Sequence, residues 1–283
     1  MENRGEKMSG KLFVVGTPLG NLGDFSPRAI ETLNQVDFIA AEDTRVTLKL
    51  LNRFEIKKPM ISYYEHNLVQ KSDIIIERIA NGESCALVSD AGMPCISDPG
   101  EILVKLATEQ NIEVIVIPGP SAVISALAIS GLITSRFCFE GFLSTNKRNR
   151  KEHLKEIENE ERTIVFYEAP HKLLATLKEL LTVLGDRKIS LARELTKIHE
   201  EVIRTTISQA IKKYETTSPR GEFVLIIEGK EKKEQEQLTI DEALELANNL
   251  VSQGTKISEA AKQIAKQTGF SKSEIYKKMM DGK

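Results

Sequence analysis

Cysteine is scarce in this chain. Cys85, Cys95 and Cys138 are scattered, odd in number and free of metal-ligand spacing, and the four histidines stand alone. That leaves no basis for a disulfide framework or a metal centre and points to a reducing cytoplasm. Long apolar runs are missing too: none reaches the length needed to span a bilayer, and the start MENRGEKMSG holds no apolar signal region. Basic excess is absent. The 39 Lys and Arg against 41 Asp and Glu leave a net charge of -2, which argues against a generally basic nucleic-acid binder but not against local basic patches. Two phosphate-binding strings are also lacking. No GxxxxGK[ST] occurs, and Gly16, Gly20 and Gly23 do not make a GxGxxG fingerprint, because their spacing differs and Pro18 interrupts them.

What is present is a repeated local design. Three short β-branched apolar runs each end in a turn rich in glycine and proline: LFVVGTPLGNLGD (12–24), CALVSDAGMPCISDPG (85–100) and IEVIVIPGPSAV (112–123). Each reads as a buried strand followed by a helix. In open α/β sheets ligands lie beyond the carboxyl ends of the strands, so three such turns can line one pocket. Glycine lets backbone come close to a ligand and proline holds that backbone in one shape. One such turn alone is an ordinary tight connection; three together, with two proline-glycine pairs and DAGMP, point to a small-molecule site built largely from main chain.

At 283 residues and 41% hydrophobic the chain has core for two domains and a small third. A disordered start (1–10) precedes an N-terminal α/β domain (11–119), with strands near 12–17, 37–41, 85–90 and 112–117 alternating with helices near 26–35, 44–54, 67–81 and 99–110. Ser26-Pro27 and Asp98-Pro99 are helix-start signals, and the alternation means a parallel or mostly parallel sheet. A C-terminal α/β domain (120–230) follows, opening on a small-residue helix and carrying strand-like runs at 137–142, 163–168, 189–194, 201–207 and 222–228. Its helix 171–184 buries a leucine face and meets a C-cap at Gly185. EKKEQEQ (231–237) is a charged linker. The extension 238–283 fits three short helices with a helix-turn-helix outline, a capping box at Ser271 and Glu274, and seven lysines against three acids from Thr255 onward. The solvated reading of that extension competes with a phosphate-contacting one. A second basic feature, STNKRNRKEHLK (144–155), places Lys147, Arg148, Arg150 and Lys151 just after a strand, as a loop over the cleft between the domains. Most charge runs are solvated surface, but these are suited to phosphate, with Arg148 and Arg150 able to make forked contacts.

VGTPLGNLGD, AAEDTR (40–45), SDAGMPCISDPG, PGPSA and FYEAPH (166–171) resemble the signature blocks of the tetrapyrrole-methylase superfamily. More closely they resemble its branch acting on ribosomal RNA, the small subunit methyltransferase I family. The resemblance runs from about Lys11 to Lys230, with a C-terminal extension typical of that branch. Met93 departs from it by standing where a threonine is expected; its thioether can still pack on a ligand, but a hydroxyl hydrogen bond is lost.

The resemblance implies a two-domain fold with a ligand cleft between the domains, S-adenosylmethionine as methyl donor (S-adenosylhomocysteine as product), no metal, and a homodimer. It further implies that the acceptor is a cytidine ribose 2′-hydroxyl in the decoding region of 16S rRNA, within the small ribosomal subunit. By the family pattern, Pro18, Ala91, Gly92, Met93, Pro94, Ile96, Ser121 and Ala122 line the donor pocket, and Tyr167, Glu168, Ala169, Arg193 and Glu194 close its other side. Several have a plainer reading: Ile96 and Ala122 also suit a core. A sugar hydroxyl is a poor nucleophile and must give its proton to a base. Glu42, Asp43 and Arg45, at the end of the second strand, and Asp90 are the acceptor-site candidates, and His66 is a further one as base or RNA contact. Asp43 equally suits a helix cap, Glu42 with Arg45 an ordinary ion pair, and Asp98 reads as a cap rather than a catalyst. Two alternatives remain: a tetrapyrrole C-methyltransferase, and a ligand-sensing nucleic-acid-binding regulator.

Overall fold

The computed structural model describes residues 10–231 and 239–281. The expectations for the disordered start and the charged linker therefore fall outside it, except at Glu231, which is exposed, and at Gly10, which is buried and donates its N–H to the Ile79 carbonyl at 2.8 Å. The chain divides after Lys230 into two compact units. No helix among the described residues is long and apolar enough to cross a membrane.

The larger unit holds two five-stranded sheets. The first comprises β1 (Lys11–Val15), β2 (Phe38–Ala41), β3 (Met60–Ser62), β4 (Cys85–Val88) and β5 (Glu113–Ile117), in the order β3-β2-β4-β1-β5, all parallel. The connections carry α1 (Pro27–Gln35), α2 (Thr44–Arg53), α3 (Leu68–Ala80) and α4 (Glu101–Glu109). Helices cover both faces of such a sheet, so the inner strands β2 and β4 are apolar at every position. Phe38 and Ala40 enter one core with Leu12, Ile75 and Leu103, while Ile39 and Ala41 enter the opposite one with Val15, Leu33 and Leu51. The edge strand β3 is three residues long, too short for its pattern to register in the sequence.

The second sheet comprises β6 (Phe137–Phe142), β7 (Thr163–Glu168), β8 (Lys188–Arg193), β9 (Glu201–Thr206) and β10 (Phe223–Ile227), in the order β6-β7-β10-β8-β9. Only β6 and β7 run parallel; β10 lies antiparallel to both β7 and β8, and β9 to β8, because the loop 194–200 returns the chain directly from β8 to β9. Helix α5 (Ala122–Ile129) packs on one face against Val165, Ala192, Val224 and Ile226. The other face is covered by α6 (Lys147–Glu156), α7 (Leu173–Leu184) and α8 (Ile207–Thr216), around Phe166, Leu177, Leu180 and Leu225.

Local signals decide where helices begin. Ser26 caps α1 by accepting from Ala29 N at 3.1 Å, with Pro27 in the first turn. Asp98 does not cap α4; that helix starts at Glu101 behind Gly100, whose φ of 146° no capping side chain accompanies. The basic run expected as a loop is instead helix α6. Asn146 Oδ1 accepts from Arg148 N at 3.0 Å and Asn149 N at 3.2 Å, and the Lys, Arg and Glu that follow are good helix formers.

The smaller unit is a three-helix cluster of α9 (Ile240–Ser252), α10 (Ile257–Thr268) and α11 (Lys272–Asp281), closed around Ala243, Ala247, Ala261, Ile264, Ile275 and Met279. Gly269, left-handed at φ 78°, ends α10. The reciprocal capping box lies at Thr239 and Glu242; Ser271 supplies only its half, accepting from Glu274 N at 3.2 Å.

One side chain closes the end of the second sheet. Half-buried Arg187 donates to the carbonyls of Leu184 (3.1 Å), Glu160 (3.2 Å), Glu228 (3.3 Å) and Glu158 (2.8 Å). Arg187→Ala is expected to destabilise the protein by roughly 2 kcal/mol, since those carbonyls lose a charged donor. Arg187→Lys is not expected to restore it, because an ammonium lacks the planar fork. Thermal unfolding of both variants checks this; full stability of Arg187→Lys contradicts it.

Candidate functional site

The ends of β1, β4 and β5 meet through main chain. Thr17 and Gly92 exchange backbone hydrogen bonds, Thr17 N to Gly92 O at 2.8 Å and Gly92 N to Thr17 O at 3.1 Å. The buried Thr17 hydroxyl donates to Ser89 O at 3.1 Å. Gly16 touches Gly119 so closely that a Cβ on Gly16 would stand 2.6 Å from the Gly119 Cα and from the Met93 sulfur. Side chains at either glycine would part the first and third turns. Gly92 itself has φ 88°, a left-handed conformation that glycine adopts without steric cost.

Beyond these turns, between the two sheets of the larger unit, lies a cavity of about 210 Å³. Of the residues expected at a donor pocket, Ala91, Gly92, Met93, Ile96, Ser121, Ala122, Tyr167, Arg193 and Glu194 line it; Pro18, Pro94, Glu168 and Ala169 do not. Glu168 is turned away into a buried network. Its carboxylate accepts from Ala169 N at 2.9 Å and, over a very short distance, from the Thr176 hydroxyl. Sequence reading missed Leu19, Phe142, Lys197, Glu222, Ser97 and Asp98 on the cavity wall. Phe142 follows a β-bulge between Phe139 and Gly141 that re-aims the strand, and its ring lies 5.4 Å from that of Tyr167. A positive φ at Gly141 (63°) beside an FxFxGF strand is the signal that marks such a bulge. Lys197 and Glu222 arrive from loops whose sequence carries no comparable mark.

The charged groups divide into bound and free. At the adjacent ends of β2 and β4, Glu42 accepts from Asp90 N at 3.3 Å and Asp90 accepts from Asp43 N at 3.1 Å. Asp43 caps α2 through Arg45 N at 2.8 Å and grips the Arg45 guanidinium at 3.0 and 2.6 Å. The four acceptor-site candidates are thus brought together, although none lies on the cavity wall. The Arg45 hydrogen bonds hold the Asp43 carboxyl down to about 2, whereas burial raises Glu42 and Asp90. Arg193 is committed to Glu201 at 2.6 Å, and Lys197 to Glu194 at 3.0 Å. Asp98 has no ion-pair partner among the described residues. Burial, then the charges of Glu42, Asp90 and Glu222, push its carboxyl up to about 7. Burial also lifts Tyr167 to about 12, with Asp98 and Glu222 adding to the shift.

The remaining candidates scatter. His66 is exposed in a 3-10 turn at Glu65–Asn67, edge-on to Tyr64. On α6, Lys147, Arg148 and Lys151 are exposed, Arg148 within a solvent-facing pair with Glu152 at 2.9 Å. Arg150 corrects the expectation of a phosphate contact: its side chain is only 14% exposed, bonded to Glu179 at 2.6 Å and to the Thr176 hydroxyl at 2.7 Å. It is spent on tying α6 to α7. No cluster of three or more metal-ligating side chains occurs among the described residues. The three thiols are free and burial pushes them up to between about 11 and about 12, so none is a thiolate at neutral pH.

Residues 11–211 match the family model for tetrapyrrole (corrin/porphyrin) methylases. The chain is 48% identical to ribosomal RNA small subunit methyltransferase I of Synechocystis sp. over 94% of its length and 96% of that protein. The same-named protein of Bacillus subtilis is 44% identical over 98% of this chain and 96% of its own. Among solved structures, a diphthine synthase superposes with a TM-score of 0.60 at 16% identity, covering 78% of this chain and 90% of that one. Uroporphyrin-III C-methyltransferase from Thermus thermophilus, complexed with S-adenosylhomocysteine, gives 0.56 at 15%, covering 77% and 97%. At those identities the structural likeness is one of fold.

The Asp98 shift has a consequence for stability. A carboxyl near 7 when folded and about 3.9 when unfolded makes the folded state bind more protons between those values. Stability is therefore highest below the lower value and falls as pH rises through about 7. Asp98→Asn removes that cost: relative to the parent protein it is expected to melt higher at pH 8, the gain shrinking toward pH 4. Paired melting curves across pH test this, and a gain independent of pH contradicts it.

Proposed function

The chain belongs to the tetrapyrrole methylase family, within its ribosomal RNA small subunit methyltransferase I branch, and we propose that it methylates the ribose 2′-hydroxyl of a cytidine in the decoding region of 16S rRNA. The donor is S-adenosylmethionine, the product S-adenosylhomocysteine, and the acceptor is held within the small ribosomal subunit in the cytoplasm. The observation that carries this reading is the kinship with rRNA methyltransferases along nearly the whole chain. The tetrapyrrole alternative draws on the broader family match and on fold-level likeness, and the regulator alternative on the helical extension alone.

The cavity suits such a donor. Its floor depends on a missing side chain at Gly92, where a Cβ would meet the Leu19 side chain at 3.3 Å. Its walls combine the soft Met93 thioether and the Tyr167 and Phe142 rings with the Glu194 and Glu222 carboxylates, surroundings that favour a cation. Bound there, the donor supplies an electrophilic methyl group on a sulfonium. Ala91, Gly92, Met93 and Ile96 would hold it from one side, Ser121, Ala122 and Tyr167 from the other, with Arg193 and Glu194 closing the rim. Pro18 and Pro94 stiffen the turns behind them, and the Ala169 carbonyl accepts from Lys172 N and Leu173 N at the start of α7. Much of the catalysis is positioning, and backbone-to-backbone contacts suit that task because they do not change rotamer. Glu42, Asp43, Arg45 and Asp90 keep the β2 and β4 ends in register at the acceptor side. Lys147, Arg148 and Lys151 take RNA phosphates, with His66 as an outlying RNA contact. A two-fold dimer would present both α6 helices to one large RNA.

Tritium transfer from labelled S-adenosylmethionine to small subunits from a strain lacking the gene is expected, at one cytidine linkage that becomes alkali-resistant. Absence of transfer to subunits and to free rRNA contradicts the proposal. Reversing Lys147, Arg148 and Lys151 to Glu is expected to weaken RNA binding and to flatten its dependence on log salt by about 0.7 to 0.9 for each phosphate no longer neutralised. An unchanged salt slope removes α6 from the interface.

A further inference from the structure

Asp98 is one of two carboxylates on the cavity wall, with Glu222, that no ion pair engages among the described residues. It stands on the cavity wall with Gly92, Met93, Ser121, Ala122 and Tyr167, yet does none of the work its sequence position suggests. The segment leading to α4 holds Cys95 at φ 72° and Ser97 at φ 64°, left-handed values that are costly outside glycine. Gly100 completes the turn at φ 146°, packed where a Cβ would stand 2.5 Å from the Cys95 sulfur. This constrained loop puts Asp98 on the cavity wall instead of over the first turn of α4.

We propose that Asp98 is the catalytic base that receives the proton of the attacking hydroxyl. The inference rests on the methyl-transfer reading above. The acceptor oxygen–methyl bond forms as the methyl–sulfur bond of the sulfonium donor breaks, leaving that electron pair on sulfur. The hydroxyl proton passes to the Asp98 carboxylate, so a neutral thioether, a methyl ether and a protonated Asp98 result.

Three of the neighbouring acids are occupied, while Glu222 shares the cavity wall and its charge acts on Asp98. Asp43 is gripped by Arg45, while Glu42 and Asp90 accept the backbone N–H groups that hold β2 to β4. The titratable groups acting on Asp98 are Glu42 and Asp90 from the strand ends and Glu222 ahead of β10, with Tyr167 on β7 and Cys95 on its own loop. Arg193, Glu194 and Lys197 share the cavity wall, the two cations already paired with Glu201 and Glu194. Burial, with this surplus of negative charge and against the lowering effect of the Ser89 hydroxyl, brings the carboxyl to about 7, where a general base combines availability with proton affinity.

The test uses the full-length protein, S-adenosylmethionine and small ribosomal subunits. In the ligand-free protein one aspartate carboxyl carbon is expected to titrate near 7 by NMR and to vanish in Asp98→Asn. In the parent, the single-turnover rate is expected to rise with pH to a plateau, with its midpoint at or below about 7 because the bound sulfonium favours the carboxylate. Asp98→Asn should bind the donor normally by calorimetry, lose about 10² to 10⁴ in rate, and lose that acid limb. Asp98→Glu, which keeps the charge, should recover part of the rate with a displaced limb. An Asp98→Asn enzyme with parental rate and pH profile overturns the inference and leaves the methyl-transfer reading standing. So does a loss confined to donor affinity, an Asp98→Glu enzyme with parental rate and limb, or an Asp98 carboxyl titrating below about 5. A parent inactive on subunits and free rRNA overturns both.

Discussion

The site depends on two backbone contacts, the Thr17–Gly92 exchange of hydrogen bonds and the Gly16–Gly119 approach. They fasten the turns after β1, β4 and β5 to one another, at the carboxyl edge where a parallel sheet presents its ligands. Main-chain contacts of this kind have no rotamers to lose, so the cavity wall is set before any ligand arrives. Thr17 makes the arrangement cooperative: one buried residue satisfies its N–H, its carbonyl and its hydroxyl on the neighbouring turn. Moving any one turn would strand polar groups on another, at the cost that attends a buried unmade hydrogen bond.

A second chain of contacts runs from the cavity to the surface. Tyr167 lines the cavity, and its neighbour Glu168 turns inward to Thr176, which accepts from Arg150, which in turn pairs with Glu179. The network ties the basic helix α6 through α7 to the strand forming the pocket wall. Arg150 therefore fixes where Lys147, Arg148 and Lys151 sit, and its own charge is withdrawn from solvent. Basic residues close together in sequence thus have opposite tasks, separated by which face of the helix they occupy.

Charge at the site follows a similar division. Carboxylates at the β2 and β4 ends serve as hydrogen-bond acceptors for the backbone, and Arg193 and Lys197 are neutralised by their neighbours. That leaves a cavity of net negative character in a protein read as an RNA-modifying enzyme. The arrangement is coherent if phosphate attraction is delegated to exposed helices and the acidic interior is kept for a cationic donor and for proton transfer.

The amino-acid sequence by itself determined the features that depend on neighbours along the chain. These are the apolar strands ending in Gly-Pro turns, the Ser26-Pro27 start of α1, the leucine face of α7, and the signature blocks that carry the family and its fold. Patterns of period 2 and 3.6, and residues with restricted φ, act locally and are legible without coordinates. The sequence was silent or misleading wherever a residue's partner lies far along the chain. The three antiparallel pairings of the second sheet depend on which strands meet, β3 exists only because β2 offers an edge, and Arg150 is buried only because α7 supplies Thr176 and Glu179. Asp98 shows the limit most sharply: Asp-Pro before a helix has the local form of a cap, and only the left-handed turns at Cys95, Ser97 and Gly100 bring it to the cavity instead. Side-chain direction in an irregular loop, and the charge that distant strands place around it, are properties of tertiary structure alone.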